Sequence, residues 1–291
     1  TASVPRFPNR SRATAMIWQT SRYQIDLTRV RIMGVVNVTP DSFSDGGRYF
    51  DAGAAIAHCE QLVREGADIL DIGGESSRPG AQPVAAQEEL DRILPVVEGA
   101  LRLGCPVSLD TTKPELMRHA LRLGVDIIND INALQSSEAL AVVAASDSCG
   151  IVLMHMLGKP QSMQERVHYD DVVTDVRSFL RNRANALTSR HVAARRIVLD
   201  PGIGFGKTME KNVELLARQR ELLDVGFPLL VGWSRKSTLG MLTGRPVHER
   251  QTASVAAALA SVQNGAAVIR VHDVAATADA LSVWRAAGLC H

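Results

Sequence analysis

Cysteine is scarce in this chain, and the few present do not cluster. Cys59, Cys105, Cys149 and Cys290 form no Cys-x-x-Cys and no Cys/His ligand spacing. That argues against a disulfide framework or a thiolate metal knuckle, and points to free, buried thiols in a reducing compartment. An excess of either charge is also lacking. The 32 Lys and Arg against 31 Asp and Glu leave a net charge of +1, without the basic surplus of a non-specific nucleic-acid binder. No uninterrupted apolar stretch approaches the ~20 residues that a membrane-spanning helix needs. Residues 1–12 are rich in Pro, Ser and Arg, and no apolar signal-peptide core follows them. We expect a poorly ordered tail on a cytoplasmic protein, with neither nucleic acid nor membrane as partner. No linker or composition break divides the 291 residues, and their composition is that of an ordinary soluble globular protein.

What is present is a recurring unit. Eight short apolar runs each close in a polar or glycine-rich cluster, at Asn37, Gly73, Asp110, Asn129, His155, Asp200, Gly232 and Arg270. The segments between them read as helices. Residues 52–65 form one, with Gly66 as its C-cap, and the amphipathic residues 85–103 another, stopped by Gly104. Lys113-Pro114 opens a short helix that Gly124 ends, and the windows 172–188, 253–262 and 275–286 are helical throughout. Eight strand candidates alternating with helices over about 250 residues predict an α/β protein, a single (β/α)8 barrel. An open doubly wound sheet uses the same alternation, but eight units favour closure. We assign residues 30–291 to the barrel and residues 1–29 to an N-terminal extension, in which a strand or hairpin over residues 22–26 would close the barrel base.

In parallel α/β folds the active site forms where strands end and loops begin. The first loop, Asn37-Val-Thr-Pro-Asp-Ser-Phe-Ser-Asp-Gly-Gly47, is too polar for core and too long for a minimal connection. The second, Gly73-Gly-Glu-Ser-Ser-Arg-Pro-Gly80, has the same character and adds an arginine. Two such loops on one barrel face are suited to closing over a substrate, although each alone reads equally as a surface loop. Asp110, Asn129 and Asp200 end strands in Asp-Thr-Thr-Lys113, Asn-Asp-Ile131 and Asp-Pro-Gly-Ile-Gly-Phe-Gly-Lys207. Each alone is a plausible helix cap. Together, on what we take to be neighbouring strands, they suit a flat, nitrogen-rich heterocycle, because a carboxylate accepts two parallel N–H bonds while an amide both donates and accepts. Gly232-Trp-Ser-Arg-Lys-Ser237 offers a lysine and two serines at a helix start, a place for an anion or a ring carbonyl. Arg270-Val-His272 puts two cationic groups on one side of a strand, costly unless a ligand or an acidic partner meets them.

Other signals carry less. Gly202-x-Gly-x-Gly206 has neither the dinucleotide nor the Walker spacing. His155 has no second His at ligand spacing and reads as a structural hydrogen-bonding residue. Asp170-Asp171 reads as a first-turn charge preference, and the basic stretch 177–196 as a solvated helix face.

From about residue 32 to residue 274 these motifs, in this order, resemble the bacterial, stand-alone dihydropteroate synthases, a pterin-binding family. The resemblance implies a (β/α)8 barrel. Its reaction joins 6-hydroxymethyl-7,8-dihydropterin diphosphate to p-aminobenzoate, giving 7,8-dihydropteroate and pyrophosphate for folate synthesis. It further implies Mg2+ as cofactor, sulfonamides as inhibitors that mimic p-aminobenzoate, and a homodimer. On this chain the family's pterin site falls on Asp110, Asn129, Ile131, Met154, Asp200, Gly232, Lys236 and Arg270. Its diphosphate site falls on Asn37, Ser77, Arg78, Arg270 and His272, with Asn37 contributing to the Mg2+ site. The p-aminobenzoate pocket falls on Phe43, Ser77, Pro79, Phe205, Ser234 and Lys236. The residues expected to act in the chemistry are Asn37, Asp45, Arg78, Lys236, Arg270 and His272.

The implied mechanism is dissociative: diphosphate leaves first, and the arylamine then attacks a pterin-stabilised cation. The sequence agrees in offering no activated Ser or Cys. Trp233 and Ser77 depart from the family pattern, where smaller residues and Thr are commoner. A pterin-binding methyltransferase barrel would keep Asp110, Asn129 and Asp200 but would not need the first two loops or Ser-Arg-Lys-Ser. A non-catalytic paralogue would have lost loop or anion-site residues that this chain retains.

Overall fold

Alternation decides what each strand of this chain buries, because successive side chains point to opposite faces. The computed structural model describes residues 16–39, 51–76, 80, 84–158, 163 and 167–290. Among them, β1 (Ile17–Gln19) and β2 (Gln24–Asp26) form a hairpin. The strands β3 (Arg31–Asn37), β4 (Ile69–Gly73), β5 (Val107–Asp110), β6 (Ile127–Asp130), β7 (Gly150–Met154), β8 (Ile197–Asp200), β9 (Leu229–Val231) and β10 (Ala266–Val271) follow. Strands β3 to β10 are joined in sequence order, all parallel, and β10 pairs with β3, so the sheet closes into a barrel. The (β/α)8 expectation holds, and the open sheet is excluded. The anticipated strand ends at Asn37, Gly73, Asp110 and Asp200 coincide with the observed ones, and the other four lie one residue away.

Helices α1 (Ala52–Arg64), α2 (Ala86–Ala100), α3 (Pro114–Leu123), α4 (Ser137–Ala144), α5 (Val172–Thr188), α6 (Met209–Ala217), α7 (Ser237–Thr243), α8 (Gln251–Gln263) and α9 (Val274–Ala286) follow the strands. Several start on a side-chain cap that satisfies an otherwise orphaned N–H: Asp51, Ser136, Asp171 and Thr208 each accept from the third residue onward. Asp171 is thus a capping residue, more specific than the charge preference read from the sequence. Pro114 opens α3, and Gly124, at φ +92°, closes it.

Two apolar cores result. The larger fills the space between barrel and helices. The smaller lies inside the barrel, where Met33, Ile69, Ile127, Val152, Val198, Leu230 and Val268 meet Trp18, Ile25 and Leu27 of the N-terminal hairpin. The hairpin, longer than the sequence suggested, plugs the barrel base. Trp18 donates from Nε1 to the Arg196 carbonyl at 2.9 Å, and Arg22 pairs with the buried Asp126 at 2.6 Å. Gly150 permits the close approach, since a Cβ there would stand 3.0 Å from Thr20 and 3.1 Å from the Trp18 indole. Two residues further along the same inward rows the character changes. Ile69 is followed by Asp71, Ile127 by Asn129, Val198 by Asp200 and Val268 by Arg270. The barrel is apolar at its base and polar at the mouth formed by strand C-termini.

The basic stretch 177–196 is corrected in part. Arg196 is buried and donates to the carbonyls of Cys149, Ser146 and Val143, while Arg183 donates to those of Ala133 and Leu134, two residues with positive φ. These guanidiniums face inward because they donate to turn and helix-end carbonyls, groups that burial leaves in need of donors. Replacing Trp18 with Ala empties the centre of the base plug and should cost about 3–5 kcal/mol in chemical denaturation; a loss below about 1 kcal/mol would contradict the plug's role.

Candidate active site

The polar ends of five strands face one another across the barrel mouth. Arg270, from β10, donates from Nε to Asp71 Oδ2 at 2.6 Å and from a terminal nitrogen to Asp110 Oδ2 at 2.8 Å. Asn129, from β6, donates from Nδ2 to the same Asp71 oxygen at 3.1 Å. Asp71 is fully buried, and its Oδ1 has no partner among the described residues. The acidic partner considered for Arg270 on sequence grounds therefore exists twice over. Asp200, at the end of β8, accepts from the Gly202 N–H at 2.7 Å. It is not on a strand adjacent to the other two: β7 stands between β6 and β8, so Asp200 faces Asp110 and Asn129 rather than lining up beside them.

Lys236 caps the N-terminus of α7, donates to the Ile203 carbonyl and holds its Nζ 4.8 Å from the Phe205 ring centroid. Gly204, at φ +83°, makes room for it, since a Cβ there would lie 3.2 Å from Lys236 Cδ, whereas a Cβ at Gly232 would stand in ordinary contact with Arg270 Cβ at 3.5 Å. Beside the charged groups, Ile131, Met154, Met156 and Met163 form an apolar cluster with Phe205 against it. His272 follows β10 and meets Ser234, whose hydroxyl accepts from the His272 backbone N–H at 3.1 Å and contacts its Nδ1 at 3.0 Å. Asn37 ends β3, partly exposed. Phe43, Asp45, Ser77, Arg78 and Pro79 lie outside the described residues.

Burial sets the titration of this cluster. It raises Asp110, an effect opposed by Arg270 and reinforced by Asp71, and it raises Asp200 against the pull of Lys236 and Arg270. It lowers Lys236 to about 8, partly offset by Asp200. For Arg270, burial is outweighed by Asp71 and Asp110, and its guanidinium is held more firmly charged. The mouth thus holds carboxyl groups whose ionisation burial penalises and which N–H donors or positive charge favour.

The loop after β8 owes its shape to Lys207, whose role the sequence left undefined, and to His155, the structural hydrogen-bonding residue read from the sequence. Lys207, buried, donates to the carbonyls of Gly202 at 2.8 Å and Phe205 at 3.0 Å, and meets His155 Nδ1 at 2.9 Å. Burial pulls both Lys207 and His155 down, His155 to about 2, so the imidazole is neutral and accepts from the lysine. Gly202, at φ +66°, is required: a Cβ there would stand 1.8 Å from the His155 carbonyl oxygen. The stem of the second loop is fixed in a similar way. Lys113 bridges Glu75 of that stem to the buried Glu89 of α2, and Arg92 donates to the Gly74 carbonyl at 3.0 Å. Asp71 is the residue that sequence reasoning passed over. The available signal was a carboxylate on the inward parity of an apolar run, two residues before its end.

A family model described as "Pterin binding enzyme" matches residues 33–272. The dihydropteroate synthase of Neisseria meningitidis serogroup B is 51% identical over 279 residues, which cover 94% of this chain and 98% of that protein. The solved structure of Xanthomonas albilineans dihydropteroate synthase with 4-aminobenzoic acid matches at TM-score 0.89 and 48% identity, over 94% of this chain and 99% of that one. That of Burkholderia cenocepacia dihydropteroate synthase complexed with 7,8-dihydropteroate matches at TM-score 0.86 and 47% identity, over 94% and 97%.

A titration of the ligand-free protein, carrying carbon-13 lysine and followed by NMR, should find Lys236 charged below and neutral above a midpoint near pH 8. A midpoint at the ordinary value for an exposed lysine would contradict its burial.

Proposed function

The chain belongs to the pterin-binding enzymes, among the dihydropteroate synthases, and from that membership we propose how its barrel mouth divides the work. The reaction joins 6-hydroxymethyl-7,8-dihydropterin diphosphate to p-aminobenzoate with release of pyrophosphate. The observation that carries the reading is the meeting of Asp110, Asn129, Asp200 and Arg270, from four strands, with Lys236 at the start of α7, at one buried mouth. Asp200 accepts from the pterin ring N–H and 2-amino group, and Asp110 and Asn129 serve the other ring nitrogens. Lys236 donates to the ring carbonyl side, Arg270 covers the ring face, and Ile131, Met154 and Gly232 complete the pocket.

Bond breaking comes first. The exocyclic carbon–oxygen bond to diphosphate cleaves, and the resulting cation delocalises into the electron-rich ring. Buried carboxylates favour that charge, because a developing cation beside them offsets the burial that penalises their ionisation. Arg270, Arg78, Ser77 and His272 stabilise the departing diphosphate, and Asp45 of the first loop assists the cation. Mg2+, when bound, neutralises charge on the leaving group. Asn37 would hold it, and the fit is chemically sound, because its amide would supply the hard oxygen that Mg2+ prefers. Among the described residues no cluster of three or more His, Cys, Asp or Glu forms a dedicated metal cage. The amine of p-aminobenzoate then attacks the exocyclic carbon and loses its proton. It needs no strong base, being unprotonated at neutral pH. Phe43, Ser77, Pro79, Phe205, Ser234 and Lys236 orient this second ring, and sulfonamides compete for the same place.

A homodimer belongs to the same reading. Met241 and Leu242 of α7 and Val247 beyond it expose apolar surface that a second copy would cover. So does a cytoplasmic setting, given the free cysteines; no helix among the described residues is long and apolar enough to cross a membrane.

The test is incorporation of labelled p-aminobenzoate into dihydropteroate, with and without Mg2+. Product should depend on the metal. Asp200→Asn should lower kcat/KM roughly 10- to 100-fold, as expected for loss of a charge-assisted hydrogen-bond pair. An unchanged Asp200→Asn variant would remove Asp200 from pterin recognition.

A further inference from the structure

Asp71 does more than balance Arg270. An amide side chain is ambiguous as a recognition element, since rotation by half a turn exchanges its donor and acceptor ends. Asn129 has that ambiguity removed. Its Nδ2 donates to Asp71 Oδ2 at 3.1 Å, and the reversed orientation would set the amide oxygen against a carboxylate oxygen that also receives Arg270 Nε at 2.6 Å. Asp71 cannot move to suit the alternative. It is fully buried on β4, in register with Val35 of β3 and Ser108 of β5, and held by a guanidinium that Asp110 grips from the other side.

We propose that Asp71 is a specificity-determining positioning residue, which fixes the Asn129 amide so that the site accepts a 2-amino pteridine edge and rejects a 2-oxo one. The inference rests on the reading that Asn129 lies along the pterin edge. With one N–H of Nδ2 committed to Asp71, Asn129 presents its second N–H and its carbonyl oxygen in a set order. A 2-amino-4-oxo ring offers an acceptor nitrogen beside a donating amino group, which matches that order. A 2,4-dioxo ring offers an N–H beside a carbonyl, the reverse, and meets donor with donor and acceptor with acceptor.

The experiment compares equilibrium binding of pterin and lumazine, the 2-amino-4-oxo and 2,4-dioxo pteridines, to the wild type and three variants, with thermal unfolding to confirm folding. Asp71→Ala frees the amide and should reduce the preference for pterin about tenfold, a 1.4 kcal/mol change in discrimination. Asp71→Asn keeps an acceptor oxygen for Nδ2 and should retain most of the preference, although it weakens the hold on Arg270. In the assay, Asp71→Ala should raise KM for the pterin substrate more than KM for p-aminobenzoate. A purely structural role would instead weaken both ligands by the same factor in Asp71→Ala, and that result overturns the proposal, as does equal loss of preference in both Asp71 variants. Asn129→Ala separates this from failure of the underlying reading. If it also leaves the preference intact, Asn129 does not read the ring edge, and site assignment and inference fall together. If it removes the preference while Asp71→Ala does not, only the inference falls. Should Asp71→Ala not fold, the wild-type Asn129 side-chain amide answers by nitrogen-15 NMR: one of its two protons should exchange slowly, and equally rapid exchange of both would overturn the proposal.

Discussion

The guanidinium of Arg270, buried between Asp71 and Asp110, is the contact on which the barrel mouth depends. A charge taken out of water is tolerated only when it is paired and its hydrogen bonds are used, and removing one partner costs more than the pair contributes. Here the pairing ties β10 to β4 and β5 directly and to β6 through Asn129. With Asp200 at the end of β8 and Lys236 at the start of α7 on the facing side, the mouth brings together three carboxyl groups and two basic groups. Such a site is arranged for a ligand that brings N–H donors and acquires positive charge.

The barrel can hold this cluster because its base is independently stable. Side chains from seven strands and the N-terminal hairpin form a dry core below the mouth. The energetic cost of buried charge at the top is offset there and in the larger core under the helices. Buried cations outside the ring serve shape. Lys207 gathers two carbonyls and His155 around the loop after β8, and Lys113 with Glu75 and Glu89 fixes the stem of the second loop. The second loop's stem is thereby mounted on an ion-pair bridge, and the loop after β8 on lysine-to-carbonyl hydrogen bonds together with the apolar contacts of Ile203 and Phe205.

Much of this was legible in the sequence because strand ends coincide with changes in residue character. Asp110, Asn129, Asp200 and Arg270 each close an apolar run, and the parallel alternation that places them is a simple repeat. Asp71 was not legible in the same way. It lies inside a run that ends at Gly73, and one turn of sequence earlier Asp68 looks alike yet pairs with Arg29 and Arg31 near the base. Asp68 precedes β4 while Asp71 lies inside it in the same row as Ile69, and the point where a strand begins leaves no mark sharper than the apolar run itself. Arg183 and Arg196 were misread for a related reason: a turn carbonyl that needs a donor leaves no mark on composition. The order of donor and acceptor on Asn129 is likewise a property of its neighbour.

The most direct test of the account is a double-mutant cycle between Arg270→Met and Asp110→Asn, with stability measured by denaturant in the absence of ligand. Strongly non-additive losses are expected, a coupling of about 1 kcal/mol or more, because Arg270→Met strands the Asp110 carboxylate that Asp110→Asn would have removed, while Asp110→Asn alone leaves Arg270 its bond to Asp71. Additive losses would mean that the two side chains do not depend on each other, and that the charge cluster does not organise the mouth.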